Sequence, residues 1–442
     1  MTLRLLLIRH GLSSYNLEHR IQGRNDLSTL TTKGTLQASK AGESLRSLHI
    51  HAVYTSPLQR AADTAKELIK NRNGELIPIL DNDLLEVDLE PWSGLTIDEV
   101  KNKFSDLYST WKHHPKELIL HRKNGNSYKP IKELMDQAER FLKKIISTHH
   151  PDKNETVLVV GHNAILRCLI LKMFKEPAEG FRRIKLDNSS ISVFNINTDI
   201  ENKAEFQVES LNSTSHLTPQ IPPKGSFARI FLVRHGETNW NKEGRFQGQI
   251  DIPLNENGQK QALAASNFLK NVKFNQAFSS SMSRPMETAK IILRNHPTIE
   301  IKQQDELVEI GHGLWEGKLE AEISSEWGDL LKRWKKSPET VQMPEGETIG
   351  DVSSRAMNCF RHIAQRLSPN DTALIVAHDA VNKTILCNLL GLTNADIWKV
   401  KQGNGGITII DLTEEQEPDI ITCLNITSHL GDVVDRTAQG AL

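Results

Sequence analysis

Two short stretches of this chain combine residue types that do phosphoryl chemistry. Arg9-His10-Gly11 ends the apolar run Leu5–Ile8, and Arg234-His235-Gly236 ends the run Ile230–Val233. Matching residues follow each one. Asn16 and Asn241 lie six positions beyond the histidine, and Gln22-Gly23 and Gln247-Gly248 sit in the next loop. Arg60 and Arg284 come next, then Glu86 and Glu309, then His162 and His378 after a late apolar run. Two arginines, two histidines and a carboxylate are costly to hold near buried strand ends unless a charged ligand offsets them. Guanidinium groups grip phosphate oxygens in bidentate fashion. The inferred ligand is a phosphoryl group. His10 or His235 is then the candidate nucleophile, its pKa lowered by nearby positive charge. Arg9, Asn16, Arg60 and His162, with Arg234, Asn241, Arg284 and His378, are the candidate phosphate binders. Glu86 and Glu309 are the candidate proton donors. Gln22, Gly23, Gln247 and Gly248 are assigned to a secondary pocket, with plain turn chemistry as the alternative. Two histidines could instead ligate a metal, but that needs a third ligand and the crowded arginines disfavour a cation. No metal and no cofactor is predicted.

These residues need strand ends and helix starts to position them. Leu3–Ile8 and Ile230–Val233 are too short to cross a membrane and read as buried strands of a parallel sheet. Open α/β sheets collect ligands at the carboxyl ends of such strands. Thr31 caps a helix running to about Leu48, Ala52–Thr55 is a strand, and Ser56-Pro57 is expected to open the next helix. The corresponding helix in the second half is expected from Ser281. Val157–Val160 and Ala373–Val376 read as buried strands, and a polar, helix-rich insertion is expected from Thr96 to about His149, with a counterpart at Glu320–Glu347.

The repeat extends to the near-identical closing segments Leu211–Leu217 and Leu424–Leu430. It divides the chain into domain 1 (1–217), a Pro-containing linker (218–227), domain 2 (228–431) and a loose tail (432–442). The expected fold is two tandem three-layer α/β/α domains, each with a mostly parallel sheet flanked by helices.

The 442 residues, 38% hydrophobic and 25% charged with a formal net charge of -1, fit a soluble globular protein. Nothing in that balance selects nucleic acid or a membrane surface as partner. Cys168, Cys359, Cys387 and Cys423 lack CxxC spacing, so a disulfide framework is not expected and the cytoplasm is the expected location. The expected partner is a small phosphorylated metabolite. Nothing in the sequence assigns an oligomeric state.

Taken together, these motifs resemble the histidine phosphatase superfamily, also called phosphoglycerate mutase-like. Arg9-His10-Gly11 and Arg234-His235-Gly236 look like its signature, and Thr55–Arg60 and Ser279–Arg284 look like its second motif. Glu86 and Glu309 look like its acid, and Gly161-His162 and Ala377-His378 like its second histidine. The tandem form is similar to two-domain members from plants and cyanobacteria. The resemblance implies a phosphohistidine intermediate and a metal-independent phosphomonoesterase. A phosphoglycerate mutase using the same chemistry is the alternative. The first half departs more, with Leu12 where the second half has Glu237 and Glu90 where it has Gly313. If one half serves as a non-catalytic binding or regulatory module, it is that one.

Overall fold

The computed structural model describes residues 2–72, 76–176, 178–198, 203–414 and 417–437. The chain forms two compact units, Met1–Pro222 and Pro223–Leu442. Each is mixed α/β with flanking helices.

In unit 1 the strands are β1 (Leu3–Arg9), β2 (Ala52–Thr55), β3 (Ile79–Leu80), a small hairpin β4 (Leu120–His121) and β5 (Ser127–Tyr128), then β6 (Thr156–Gly161), β7 (Ile191–Thr198) and β8 (Ala204–Ser213). The main sheet of this unit runs β8-β7-β1-β6-β2-β3. β1, β6, β2 and β3 are parallel, while β7 and β8 return antiparallel. Leu3, Leu5, Leu6, Leu7 and Ile8 are all buried, as expected where helices cover both faces of a sheet. Helices α1 (Ser14–Leu17), α2 (Thr32–Ser44), α3 (Gln59–Ile69), α4 (Ile97–Lys103), α5 (Ser105–His113), α6 (Pro130–Thr148) and α7 (Asn163–Phe174) complete the unit. They pack chiefly as two pairs, α2 with α3 and α6 with α7.

Unit 2 repeats this plan with β9 (Arg229–Arg234), β10 (Gln276–Ser280), β11 (Ile301–Gln304), β12 (Thr372–Ala377), β13 (Ile407–Asp411) and β14 (Ile420–Ile426). Its order is β11-β10-β12-β9-β13-β14. Its helices are α8 (Asn239–Glu243), α9 (Glu256–Leu269), α10 (Ser283–Ile292), α11 (Glu320–Lys336), α12 (Ile349–Gln365) and α13 (Asp379–Leu390).

Strand register brings the site together. Arg9 pairs with Gly161 and Arg234 with Ala377, so His10 and His162 leave adjacent strands side by side, as do His235 and His378. The His10 amide donates to Gly161 O at 2.9 Å, and the His235 amide to Ala377 O at 3.0 Å. The chain then turns against the next helix through paired glycines. A Cβ on Gly11 would meet Gly34 O at 2.4 Å, and one on Gly236 would meet Gly258 O at 2.4 Å.

Three expectations need correction. The second helix does not open at Ser56-Pro57 or at Ser281. α3 begins at Gln59 and α10 at Ser283, with Leu58 and Met282 as caps. Ser56 Oγ and Ser280 Oγ each accept an amide two residues on, which makes a turn ahead of the helix instead of a cap. The insertion is also shorter than read. α6 buries Ile131, Leu134, Ala138, Phe141, Leu142 and Ile145 along one face and packs on α7, so it belongs to the helical layer. Finally, the stretch from 432 is not a loose tail as far as 437. Val433, Val434 and Asp435 are buried, and Lys401 Nζ donates to Asp435 O at 3.2 Å. Residues 438–442 of that segment lie outside the described residues.

Candidate active site

His10 Nδ1 lies 2.7 Å from Gly11 O, and His235 Nδ1 lies 2.7 Å from Gly236 O. A carbonyl only accepts, so Nδ1 carries the proton in both rings. Burial, then the charges of Arg9 and Arg60, hold His10 well below the usual histidine pKa. Burial, then Arg284 and Arg234, do the same to His235. A neutral ring with its proton on Nδ1 leaves the Nε2 lone pair free for attack. In unit 2 Arg284 Nε donates to that nitrogen at 3.3 Å.

The second histidine faces the first, with ring centroids 5.0 Å apart for His10–His162 and 5.1 Å for His235–His378. His162 Nε2 pairs with Ser56 Oγ at 2.8 Å and His378 Nε2 with Ser280 Oγ at 2.9 Å. Each hydroxyl already accepts an amide, so its own proton is free for Nε2. Nδ1 of each ring is buried with no partner among the described residues. Burial, then Arg60 or Arg284, lowers both pKa values far below normal.

Arg60 and Arg284 are fully buried on the first turn of α3 and α10. Arg60 donates to Gly23 O and Asn25 O, each at 2.9 Å, and Arg284 donates to Gly248 O at 2.8 Å. Burial brings each guanidinium down to about 10, so both stay charged at neutral pH. Arg9 donates to Leu186 O at 2.8 Å and Arg234 to Gln402 O at 2.5 Å. Nε of Arg9, Arg60 and Arg234 is buried without an acceptor. Unmatched buried donors of this kind are unfavourable. An anion with several acceptor oxygens satisfies them together.

The carboxylates come from loops and meet the first amides of α7 and α13. Glu86 accepts from the amides of Ala164 and Ile165 on α7 at 3.1 and 3.2 Å, and from its neighbour Val87 at 2.9 Å. Glu309 accepts from Asp379 and Ile310 amides, each at 3.0 Å. Glu309 is only 3% exposed, and burial followed by the charge of Asp379 pushes its pKa up. Glu86 is half-buried.

The remaining predicted residues position the others. Asn16 and Asn241 are third in their short helices, and each Oδ1 caps the helix start. Asn188 Nδ2 and Asn404 Nδ2 reach the same oxygens at 3.2 Å. Gln22 and Gln247 accept from the cap hydroxyls of Ser13 and Thr238. Gly23 O and Gly248 O accept from Arg60 and Arg284. Glu237, absent as Leu12 in unit 1, accepts from the helix cap Asn255 at 2.9 Å, so this difference removes a structural contact.

Ser56, Ser280, Asn188, Asn404 and Asp379 escaped assignment to the site. Extending the repeat alignment to Asn188 and Asn404 would have found that pair. Among the described residues, no group of three or more His, Cys, Asp or Glu could hold a metal ion, and no helix is long and apolar enough to cross a membrane.

The family model for the histidine phosphatase superfamily (branch 1) matches residues 5–211 and again 230–425. A 2-carboxy-D-arabinitol-1-phosphatase of Triticum aestivum is 28% identical, over 97% of this chain and 86% of its own. A phosphoserine phosphatase 1 of Hydrogenobacter thermophilus is 31% identical, over 46% of this chain and 95% of its own. A 2,3-bisphosphoglycerate-dependent phosphoglycerate mutase 2 of Gloeobacter violaceus is 31% identical, over 39% of this chain and 81% of its own. With its defining residues gathered at the strand ends of both units, the chain belongs to the histidine phosphatase superfamily and carries that domain twice.

Proposed function

We propose that each unit is a metal-independent phosphomonoesterase for small phosphorylated metabolites, working through a phosphohistidine. The observation that carries this reading is a neutral histidine whose Nδ1 is held by a carbonyl, leaving Nε2 as the attacking nitrogen, beside buried arginine donors without acceptors, Arg9 and Arg60 in unit 1 and Arg234 in unit 2. Nε2 of His10 or His235 attacks phosphorus as the ester P–O bond breaks. Glu86 or Glu309 gives its proton to the leaving oxygen. The carboxylate then takes a proton from water, which attacks phosphorus and breaks the P–N bond. Arg9, Arg60 and His162, or Arg234, Arg284 and His378, hold the equatorial oxygens through both steps. Two of the relatives described above are named as phosphatases, which supports hydrolysis. The four cysteines are buried and none is in a disulfide, which supports a reducing, cytoplasmic setting.

Phosphoglycerate mutase is the second reading, and one observation favours unit 2 for it. A mutase must keep water from its phosphoenzyme. Asn241, Gln247 and Glu309 are buried, whereas Asn16, Gln22 and Glu86 are only half-buried.

The test is phosphate release from phosphoglycerates, sugar phosphates, phosphoserine and nucleotide monophosphates by wild type, His10→Ala, His235→Ala and the double variant. Release that the double variant lacks is the expected result. Release that survives in the double variant contradicts the proposal, and phosphoglycerate interconversion without release favours the mutase.

A further inference from the structure

Three equivalent positions beside the two phosphate sites carry different chemistry. In unit 2, α13 opens with Asp379, and Lys383 one turn on donates to it at 2.8 Å. Asp379 lies 3.6 Å from Arg234, and Lys383 sits 5.1 Å from the Trp398 ring centroid. Carboxylate, ammonium and indole form a charge-neutralised group against Arg234, with the second carboxylate oxygen facing it. In unit 1, α7 opens with Asn163, Arg167 takes the place of Lys383, and Arg182 takes that of Trp398. The last match is anchored by Asn188 and Asn404, each six residues further on and each bonded to its Asn16 or Asn241.

The carboxylate is therefore gone and a second guanidinium has been added. Arg167 and Arg182 flank one ring, with Cζ atoms 5.2 and 5.4 Å from the Phe181 centroid. Arg182 also donates to Trp111 O. Arg167 has neither a hydrogen-bond acceptor nor an ion-pair partner among the described residues, and its Nε is buried. Burial, then the charges of Arg182 and Arg9, outweigh the opposite charge of Glu86 and bring Arg167 down to about 9. A guanidinium with no hydrogen-bond or ion-pair partner among the described residues, one turn into the helix that His162 caps, is a binding group for another anion.

We infer that unit 1 takes phosphoesters bearing a second anionic group, and that Arg167, with Arg182 beside it, binds that group. This rests on the phosphatase reading above and narrows its substrate class. Unit 2, where Asp379 already neutralises Lys383, lacks this preference.

The test uses the full chain with His235→Ala, so that His10 alone turns over. Three substrates are compared by kcat/KM: 3-phosphoglycerate, propane-1,3-diol bisphosphate and glycerol 3-phosphate. A doubly anionic substrate is expected to exceed glycerol 3-phosphate by about tenfold or more. Which one does so tells a carboxylate from a second phosphate. Arg167→Met and Asn163→Asp should each bring that ratio close to one, the second by supplying the carboxylate that unit 2 has. A ratio near one in the parent overturns the inference, as does a ratio that neither variant changes. If no compound is hydrolysed, the phosphatase reading of unit 1 fails instead. Titration calorimetry of the same compounds with the same variants then decides the subsite, with the same ratios expected in Kd.

Discussion

The two candidate sites share their His, Arg, Arg, Glu and His set and differ in what surrounds it. Unit 2 seals its acid. Glu309 is buried beside Asp379, and Asn241 and Gln247 are buried with it. Unit 1 leaves Glu86 half-exposed, has Asn163 in place of Asp379, and gathers arginines instead. The supports differ as well. In unit 1 Asp187 is held by Asn212 and lies 3.5 Å from Lys185. Unit 2 has Gly403 at that position, and the closing segment brings in Asp435. Its carboxylate would lie 2.6 Å from a Cβ on Gly403, and it is 3.5 Å from Lys401. A side chain from a distant segment thus takes the place that a local one fills in the first copy. The two copies share the residues proposed for phosphoryl transfer, while the residues around them differ in charge and exposure. That is the expected pattern if the copies act on different substrates by one mechanism.

The comparison can be broken outright at the nucleophiles. His10→Ala and His235→Ala should each remove one set of activities by about ten-thousand-fold and spare the other, read as phosphate release across substrates. Loss of both sets from one substitution would mean that the units do not act independently. Arg60→Ala and Arg284→Ala should each lower kcat of the same unit by roughly a hundredfold, as expected for a group that stabilises transition-state charge.

The contrast in acids is tested by pH. Glu309 must be protonated to donate, so His235-dependent turnover falls as pH rises through its pKa. That pKa is raised by burial and then by Asp379. Asp379→Asn removes the second cause, so the alkaline limb of the kcat/KM profile should move to lower pH, by about one unit or less. The profile of unit 1, with Asn163 in place, should not move. The smallest effect is expected from Asp435→Ala. Freed from Asp435, the loop that holds Arg234 through Gln402 O and reaches His235 O through Asn404 should position them less well. A twofold to fivefold fall in His235-dependent kcat is expected, with His10-dependent turnover unchanged, an effect of about 0.4–1 kcal/mol.

Much of this site was legible in the sequence because it lies at strand ends. Apolar runs such as Leu5–Ile8 and Val157–Val160 announce central strands. The histidines that follow them must then meet once the strands pair in parallel. The repeat linked Arg60 to Arg284 and Glu86 to Glu309 across long separations. Ser56 was misread because a Ser-Pro pair has the local form of a helix cap, and only the path of the backbone shows the hydroxyl turned toward His162. Asp379 was visible but had no role until its amide and carboxylate were placed between Glu309 and Arg234. Asp435 could not be found by periodicity or local chemistry. Its contacts with Lys401 and Gly403 depend on where the closing segment folds back.

The central claim is that two separate histidines carry the phosphoryl group. Rapid mixing with a hydrolysed phosphoester, quenching at alkaline pH and peptide mass spectrometry would map the trapped phosphate. Phosphate on the His10 peptide and on the His235 peptide, each lost in its own alanine variant, is the predicted result. Substrate turnover with no phosphate trapped on either histidine, or with phosphate on another residue, would contradict the account.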